Sequence, residues 1–231
     1  MDENQFTVIV SSILTLILLV LARLISVLPV TKRVNRLNER EHGAFNSNTK
    51  AKGKRQMLIL LGSGGHTGEM LRVLEQWKQL DKYDREYVIS TGDETSIIKL
   101  KQFEEQHGSS KNYKITFVYR ARNIGEGKFK ATVNTLRSFI STISTFSGKN
   151  KLPDIFLTNG PGTAIPIAYI LFIFKFFGMC RTKIIYMESI ARVKDLSLTG
   201  WLIMPISDRI LVQWERISKK YRRCEYYGML V

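Results

Sequence analysis

The sequence KRQMLILLGSGGHTGEMLRVL, from Lys54 to Leu74, decides the fold of this chain. A short apolar run leads into a glycine-rich segment, and apolar residues then recur at helical spacing, which predicts a strand, a tight turn and a helix. Glycine allows a ligand to approach the backbone, and the free N–H groups at a helix start favour an anion. The stretch therefore predicts a phosphate- or diphosphate-binding corner, while glycine used for tightness alone is the alternative.

Two nucleotide-binding motifs that begin with a similar glycine turn fit this stretch poorly. The Walker phosphate loop requires a Lys after its last glycine, and no Lys follows Gly68. The dinucleotide fingerprint requires glycine where Thr67 stands, and an acidic residue after the next strand, where Ser90 and Thr91 stand. The corner is therefore predicted to bind phosphate in another context.

Composition indicates an anionic partner for this basic chain of 231 residues. There are 35 Lys and Arg residues against 20 Asp and Glu, which gives a formal net charge of +15. Without an aromatic and basic nucleic-acid motif, we expect a membrane surface or a phosphorylated ligand and no nucleic acid. The two cysteines, Cys180 and Cys224, agree with a reducing compartment that faces the cytosol.

The N-terminal region predicts one membrane-spanning helix. Residues 6–28 are almost wholly apolar and long enough to cross a bilayer, and Arg23 lies near one end, from which it can reach the interface. Because Asp2 and Glu3 precede the apolar run, a cleaved signal peptide is disfavoured. A buried core helix is the alternative interpretation.

The charge that follows the apolar run predicts its orientation. Between residues 31 and 56 there are eight basic residues and two acidic ones, and positive flanks remain cytosolic. We therefore expect residues 1–5 to be lumenal, residues 29–55 to form a basic cytosolic linker, and residues 56–231 to form a cytosolic domain.

The remaining sequence alternates between strand and helix patterns, which predicts a parallel, doubly wound α/β sheet. A second glycine corner, from Asn159 to Thr163, follows the fourth predicted strand, so both corners should lie at the carboxyl edge of the sheet. The apolar segment 164–179 predicts either a helix buried against the sheet or one at the membrane interface. The predicted strands are 57–61, 87–90, 114–119, 154–158, 183–187 and 209–212, and the predicted helices are 66–80, 94–106, 132–146 and 164–179.

Five motifs give the chain a specific resemblance. Together they resemble the membrane-anchoring subunit of the eukaryotic UDP-N-acetylglucosamine transferase that adds the second sugar to the dolichol-linked precursor of N-glycans. The resemblance covers residues 56–231, and no motif matches within the linker. The motifs are LLGSGGHTGEM at 60–70, TNGPGT at 158–163, YMESIAR at 186–192, SLTG at 197–200 and VQW at 212–214.

The resemblance implies a two-chain enzyme of the GT-B type, in which two Rossmann-like halves face each other across a cleft. This chain would be the N-terminal, acceptor half, and a small cytosolic catalytic subunit would hold UDP-GlcNAc. The acceptor would be GlcNAc-diphosphodolichol, and no cofactor is implied. The location would be the endoplasmic reticulum membrane and the nuclear envelope, with activity only when both chains are present.

Candidate site residues follow from the motifs and from this reaction. Transfer to the 4-hydroxyl of the acceptor sugar requires a general base, for which His66 and Glu188 are candidates. The structural alternatives are that His66 holds the turn and that Glu188 holds its neighbouring loop. The candidates for binding diphosphate or acceptor are Gly62, Ser63, Gly64, Gly65, Thr67, Asn159, Gly160, Gly162, Thr163 and Arg192. The family resemblance and an apolar C-terminal tail, residues 224–231, indicate partner binding through Tyr226, Tyr227, Met229, Leu230 and Val231.

Two other functional classes compete with this interpretation. One is a membrane scaffold or receptor without its own ligand site, and the other is a membrane-tethered dinucleotide oxidoreductase, which Thr67 disfavours. No metal site is expected, because the three histidines, His42, His66 and His107, are scattered along the chain.

Overall fold

The computed structural model describes residues 3–29, 54–77, 79–107, 113–119, 128–148 and 151–231. It divides into two compact units, Met1–Asn48 and Thr49–Val231. Most of the linker predicted at 29–55 lies outside the described residues, so that prediction stays open.

The described part of the first unit is one long helix. Helix α1 spans Glu3–Val27, and its segment Asn4–Val27 is long and apolar enough to cross a membrane. Nearly all of its side chains are exposed within the unit, as expected of a helix whose apolar surface faces lipid. The helix is thus compatible with a single-pass anchor close to the predicted bounds 6–28.

The second unit is built on a seven-stranded, fully parallel sheet. Its order is β3-β2-β1-β4-β5-β6-β7, so the strand order reverses between β1 and β4. Such a reversal leaves a crevice at the carboxyl ends of the two strands, where ligands bind in open α/β sheets. The strands are β1 Arg55–Leu61, β2 Tyr83–Ser90, β3 Tyr113–Val118, β4 Ile155–Asn159, β5 Lys183–Met187, β6 Arg209–Val212 and β7 Cys224–Tyr226.

Among the described residues, six helices and one 3-10 turn connect the strands. Helix α5 is mostly buried, which agrees with the predicted core helix at 164–179, and it ends at Phe176. The helices are α2 Gly65–Glu75, α3 Glu94–His107, α4 Lys128–Ser147, α5 Ala164–Phe176, α6 Leu198–Ile203 and α7 Glu215–Lys220, and the 3-10 turn is Leu80–Lys82.

The predicted fold class is confirmed, and the differences are local. The helix predicted at 66–80 ends at Glu75, where the Trp77 N–H donates to the Leu74 carbonyl and the backbone tightens. Strand β7 lies inside the predicted tail, which is therefore partly sheet rather than a free end. Strand β2 begins at Tyr83 rather than residue 87. The prediction began too late because the first half of the strand contains a charged residue, Arg85, which forms a buried ion pair.

The ion pair lies between strand β2 and helix α3. The Arg85 guanidinium donates to both oxygens of Glu104 at 2.8 and 2.9 Å, and the Tyr87 hydroxyl donates to the same carboxylate at 2.6 Å. All three residues are buried, and hydrogen bonding to Glu104 raises the pKa of Arg85. A charged residue in a strand interior hides the apolar pattern, so hydropathy alone placed the strand start too late.

We predict that Glu104→Gln destabilises the second unit by about 3 kcal/mol or more, because it leaves Arg85 buried without its ionic partner. Thermal and urea unfolding of the full chain would measure this. Glu105→Gln is the matched control, since Glu105 is the exposed neighbour on the same helix. Equal stability of the two variants would contradict the prediction.

Candidate functional site at the carboxyl edge of the sheet

Two glycine corners meet at the point where the strand order reverses. The first follows β1 and includes Gly64, whose φ is +67°, directly before helix α2. The second follows β4 and includes Gly160, whose φ is +44°. Both angles lie in the region that residues with a Cβ rarely adopt, so glycine is required at these two positions.

His66 fills the space between the corners. A Cβ on Gly160 would lie 2.7 Å from both ring nitrogens of His66, and closer still to Cε1. A Cβ on Gly62 would lie 2.8 Å from the His66 Cβ and from the Pro161 side chain. The two glycines thus permit the imidazole to pack between β1 and β4. Gly62 is needed for this close approach, and Gly160 is needed both for the close approach and for its positive φ.

The outer side of the corners is open. A Cβ on Gly64, Gly65 or Gly162 would have no heavy-atom neighbour within 4 Å, and Ser63 is also exposed. Backbone N–H groups at the start of helix α2 therefore border free space next to His66, an arrangement that suits an anion.

The Glu69 carboxylate joins three segments at the centre of the site. Its Oε1 accepts from Ser189 Oγ at 2.7 Å, and its Oε2 lies 3.3 Å from Asn159 Nδ2 and 3.4 Å from His66 Nδ1. Asn159 Nδ2 also donates to the His66 carbonyl at 2.8 Å. Neither Glu69 nor Ser189 is among the site residues predicted from the sequence, although the i, i+3 spacing from His66 to Glu69 is a usable signal.

Two of the predicted binding residues are buried and hold the corners together. Asn159 is fully buried, and its Oδ1 has no hydrogen-bond partner among the described residues. Thr67 Oγ1 donates to the Gly62 carbonyl and lies 2.6 Å from Ser96 Oγ, which in turn donates to Asp93 at 2.7 Å. These buried polar contacts fix the glycine turn from the side of helix α3.

Glu188 lies directly after β5 and is saturated with hydrogen bonds. Its Oε1 accepts from the Ser189 N–H at 3.0 Å and from the Tyr186 hydroxyl at 3.3 Å, and its Oε2 accepts from the Ser197 N–H at 2.8 Å. A Cβ on Gly200 would lie 2.7 Å from Oε2, so the carboxylate is enclosed. Burial, and then the charge of Glu188, raise the pKa of Tyr186, which therefore stays a neutral donor.

The loop held by Glu188 carries the last predicted binding residue. The Arg192 side chain is exposed, and the backbone N–H of Arg192 donates to the Ser189 carbonyl at 3.0 Å. The indole of Trp214 also donates to the Ile190 carbonyl of this loop, at 2.8 Å.

Thr163, the remaining predicted binding residue of the second glycine corner, is buried at the N-terminal boundary of helix α5.

The C-terminal residues are divided between the surface and the core. Tyr226, Tyr227 and Met229 are 40, 50 and 58% exposed. Leu230 and Val231 pack against the apolar core that includes β1 and α2. Two hydrogen bonds hold Leu230: its N–H donates to Gln213 Oε1 at 2.9 Å, and its carbonyl accepts from Gln76 at 3.2 Å.

Acidic, cysteine and histidine side chains form no group of three or more that could hold a metal ion within the described ranges. The site is thus composed of glycine backbone, one histidine, and two carboxylates in different settings. Whether these residues bind a diphosphate or an acceptor stays a prediction at this point.

We predict that Gly160→Ala lowers the free energy of unfolding by about 1 to 3 kcal/mol, since the new Cβ needs a positive φ and must displace His66. Gly162→Ala, two residues further along the same corner, is the matched control, because its Cβ meets open space. Urea unfolding of both variants measures the difference, and equal stabilities would contradict the predicted close approach.

Comparisons with known proteins agree on one family. A family model described as "Oligosaccharide biosynthesis protein Alg14 like" matches residues 57–230. The protein named UDP-N-acetylglucosamine transferase subunit ALG14 in Debaryomyces hansenii is 43% identical over 99% of each chain. The Candida albicans protein of that name is 40% identical over 96% of this chain and 95% of its own, and the Mus musculus protein 34% over 76% and 83%.

A solved structure gives the corresponding likeness in fold. The crystal structure of Acinetobacter baumannii MurG matches 76% of this chain with a TM-score of 0.52 and 13% identity, and the match spans 45% of that chain. The sheet described above therefore resembles part of MurG in fold. Since both the family model and the full-length relatives match, this chain belongs to the Alg14-like family of oligosaccharide biosynthesis proteins.

Proposed function

We propose that this chain is the membrane-anchoring and acceptor-binding subunit of a two-chain UDP-GlcNAc transferase. It recruits a small cytosolic catalytic subunit to the endoplasmic reticulum membrane, and the pair adds the second GlcNAc to GlcNAc-diphosphodolichol. The observation that carries the proposal is the position of His66 between two glycine corners at the switch point of a GT-B-type sheet. The relatives of this chain carry the name of a UDP-N-acetylglucosamine transferase subunit, which supports the same reaction class.

His66 is the general base in this proposal. Its side chain is 34% exposed, so the imidazole is anchored on one side and accessible on the other. As the acceptor 4-hydroxyl oxygen attacks C1 of the donor sugar, the imidazole takes the hydroxyl proton and UDP departs with the electrons of the broken bond. Glu188 suits this role less well, because its two oxygens already accept hydrogen bonds from the loop after β5.

The open side of the glycine corners would receive the acceptor diphosphate. Backbone N–H groups at the start of helix α2 supply donors, and Gly64, Gly65 and Gly162 leave space for phosphate oxygens. The exposed Arg192, on the loop that Glu188 fixes, supplies positive charge for the same anion. Glu188 thus serves binding indirectly, by holding that loop.

A second chain would complete the active site and hold UDP-GlcNAc. The relatives are named as subunits of a transferase, which supports a partner that contributes the donor half. Helix α1 would keep the pair at the membrane where a lipid-linked acceptor resides. The basic residues at 31–56 favour a cytosolic domain and a lumenal N-terminus.

We expect His66→Ala to lower kcat for transfer about 100- to 10,000-fold while partner capture is retained, as loss of a general base requires. The assay follows labelled GlcNAc from UDP-GlcNAc to a GlcNAc-diphospho-lipid, with the purified chain alone and with its co-purifying small chain. His107→Ala is the control, because His107 is exposed and stacks on Phe103 in helix α3.

Each outcome of this assay separates the competing functions. Activity that needs both chains and His66 supports the proposal. Activity from this chain alone contradicts the half-enzyme arrangement. Unchanged transfer by His66→Ala within a stable complex favours a scaffold. The oxidoreductase needs a separate measurement, in which NAD(P) binding to this chain would favour it.

The exposed residues of the C-terminal tail are the proposed partner contacts. Because Leu230 and Val231 pack against this chain's own core, deleting the tail would confuse stability with binding. We expect Met229→Asp to weaken partner capture at least about tenfold, as loss of a buried interface anchor does. Met179→Asp is the matched control, since Met179 is similarly exposed, three residues after the end of helix α5. Co-purification that is equal for both variants would contradict the prediction.

A further inference from the structure

We propose that Glu69 is a positioning residue, which fixes the tautomer and the orientation of the His66 imidazole. The inference rests on the proposed function of His66 as general base and extends it to a residue outside the predicted site. Glu69 would contact neither substrate, because it acts through the histidine.

Two donors and the Nδ1 atom of His66 converge on the Glu69 carboxylate. Ser189 Oγ lies 2.7 Å from Oε1, Asn159 Nδ2 lies 3.3 Å from Oε2, and His66 Nδ1 lies 3.4 Å from the same oxygen. The Glu69 side chain is only 12% exposed, so water has little access to compete for these hydrogen bonds. An ionised carboxylate accepts hydrogen bonds and donates none.

This chemistry selects one tautomer of the neutral imidazole. Since Glu69 can only accept, the hydrogen of neutral His66 lies on Nδ1, and Nε2 keeps its lone pair. A general base requires that free lone pair, so the carboxylate holds the ring in its reactive form. When Nε2 takes a proton, the negative charge of Glu69 stabilises the imidazolium across the same contact.

The carboxylate is itself held from two neighbouring strands. Glu69 lies on helix α2 after β1, Asn159 ends strand β4, and Ser189 follows strand β5. Gly160 packs against the imidazole and leaves no room for a Cβ, which limits rotation of the ring. The ring orientation is therefore determined by three adjacent strands of the sheet.

Glu69→Gln is the most informative variant. It conserves size, but its amide can donate to Nδ1, which allows the hydrogen of the ring to move to Nε2. Glu69→Asp keeps the charge with a shorter reach. Glu105→Gln, an exposed residue on helix α3, is the matched control.

Nitrogen NMR of the full chain with labelled histidine, in detergent micelles, reports the tautomer directly. The chain has three histidines, so single His42 and His107 variants assign the spectrum. We expect neutral His66 to carry its hydrogen on Nδ1 in the original chain and in Glu105→Gln, and a large Nε2–H fraction in Glu69→Gln. An Nε2–H tautomer in the original chain, or no change in Glu69→Gln, would overturn the proposal.

Transfer assays of the two-chain complex test the catalytic consequence. We expect Glu69→Gln to lower kcat about 10- to 1,000-fold with KM for UDP-GlcNAc unchanged, and Glu69→Asp to retain more activity. A rise in KM as large as the fall in kcat would indicate a purely structural role and overturn the proposal. So would a loss of activity that is accounted for by the fraction of Glu69→Gln that has unfolded at the assay temperature. If His66→Ala keeps full activity, the proposed base is wrong and so is the catalytic role of Glu69, whereas the tautomer measurement stands by itself.

Discussion

The close packing of the His66 imidazole between the glycine corners that follow β1 and β4 is the constraint on which the site depends. The imidazole packs against Gly160 and lies above Gly62, where a side chain on either glycine would collide with it. Because β1 and β4 are neighbours at the reversal of strand order, their carboxyl ends leave a crevice between them. One histidine can therefore be anchored by both corners and still face open space.

Two carboxylates near this crevice have different settings, and their settings indicate different roles. Glu188 is enclosed and accepts bonds mainly from the loop that follows β5, so it organises that loop. Glu69 instead accepts from Asn159 at the end of β4 and from Ser189 after β5, and Asn159 also donates to the His66 carbonyl. The first arrangement stabilises a backbone segment, whereas the second orients a reactive group.

Much of the fold follows from local patterns in the sequence. The apolar run at 57–61, the glycines after it and the helical spacing beyond predict the first β-α unit, since each signal is local. Strand β2 was only half predicted because Arg85 interrupts its apolar pattern, and its partner Glu104 is 19 residues away. Strand β7 is a three-residue edge strand, too short to give a periodic signal.

For the site, the sequence by itself determined the glycine corners, the choice of His66 and Glu188 as candidates, and the apolar N-terminal helix. The corners and the helix follow from residue type and from spacing along the chain, and the two candidate bases follow from the motifs and the reaction that the family resemblance implies. Only the tertiary structure decided that Asn159, Ser189 and the His66 imidazole meet at the Glu69 carboxylate, that Glu188 is occupied by its own loop, and that Leu230 returns to the core. These contacts join residues up to 154 positions apart, and the order in which the strands pair, which no local pattern encodes, brings them together.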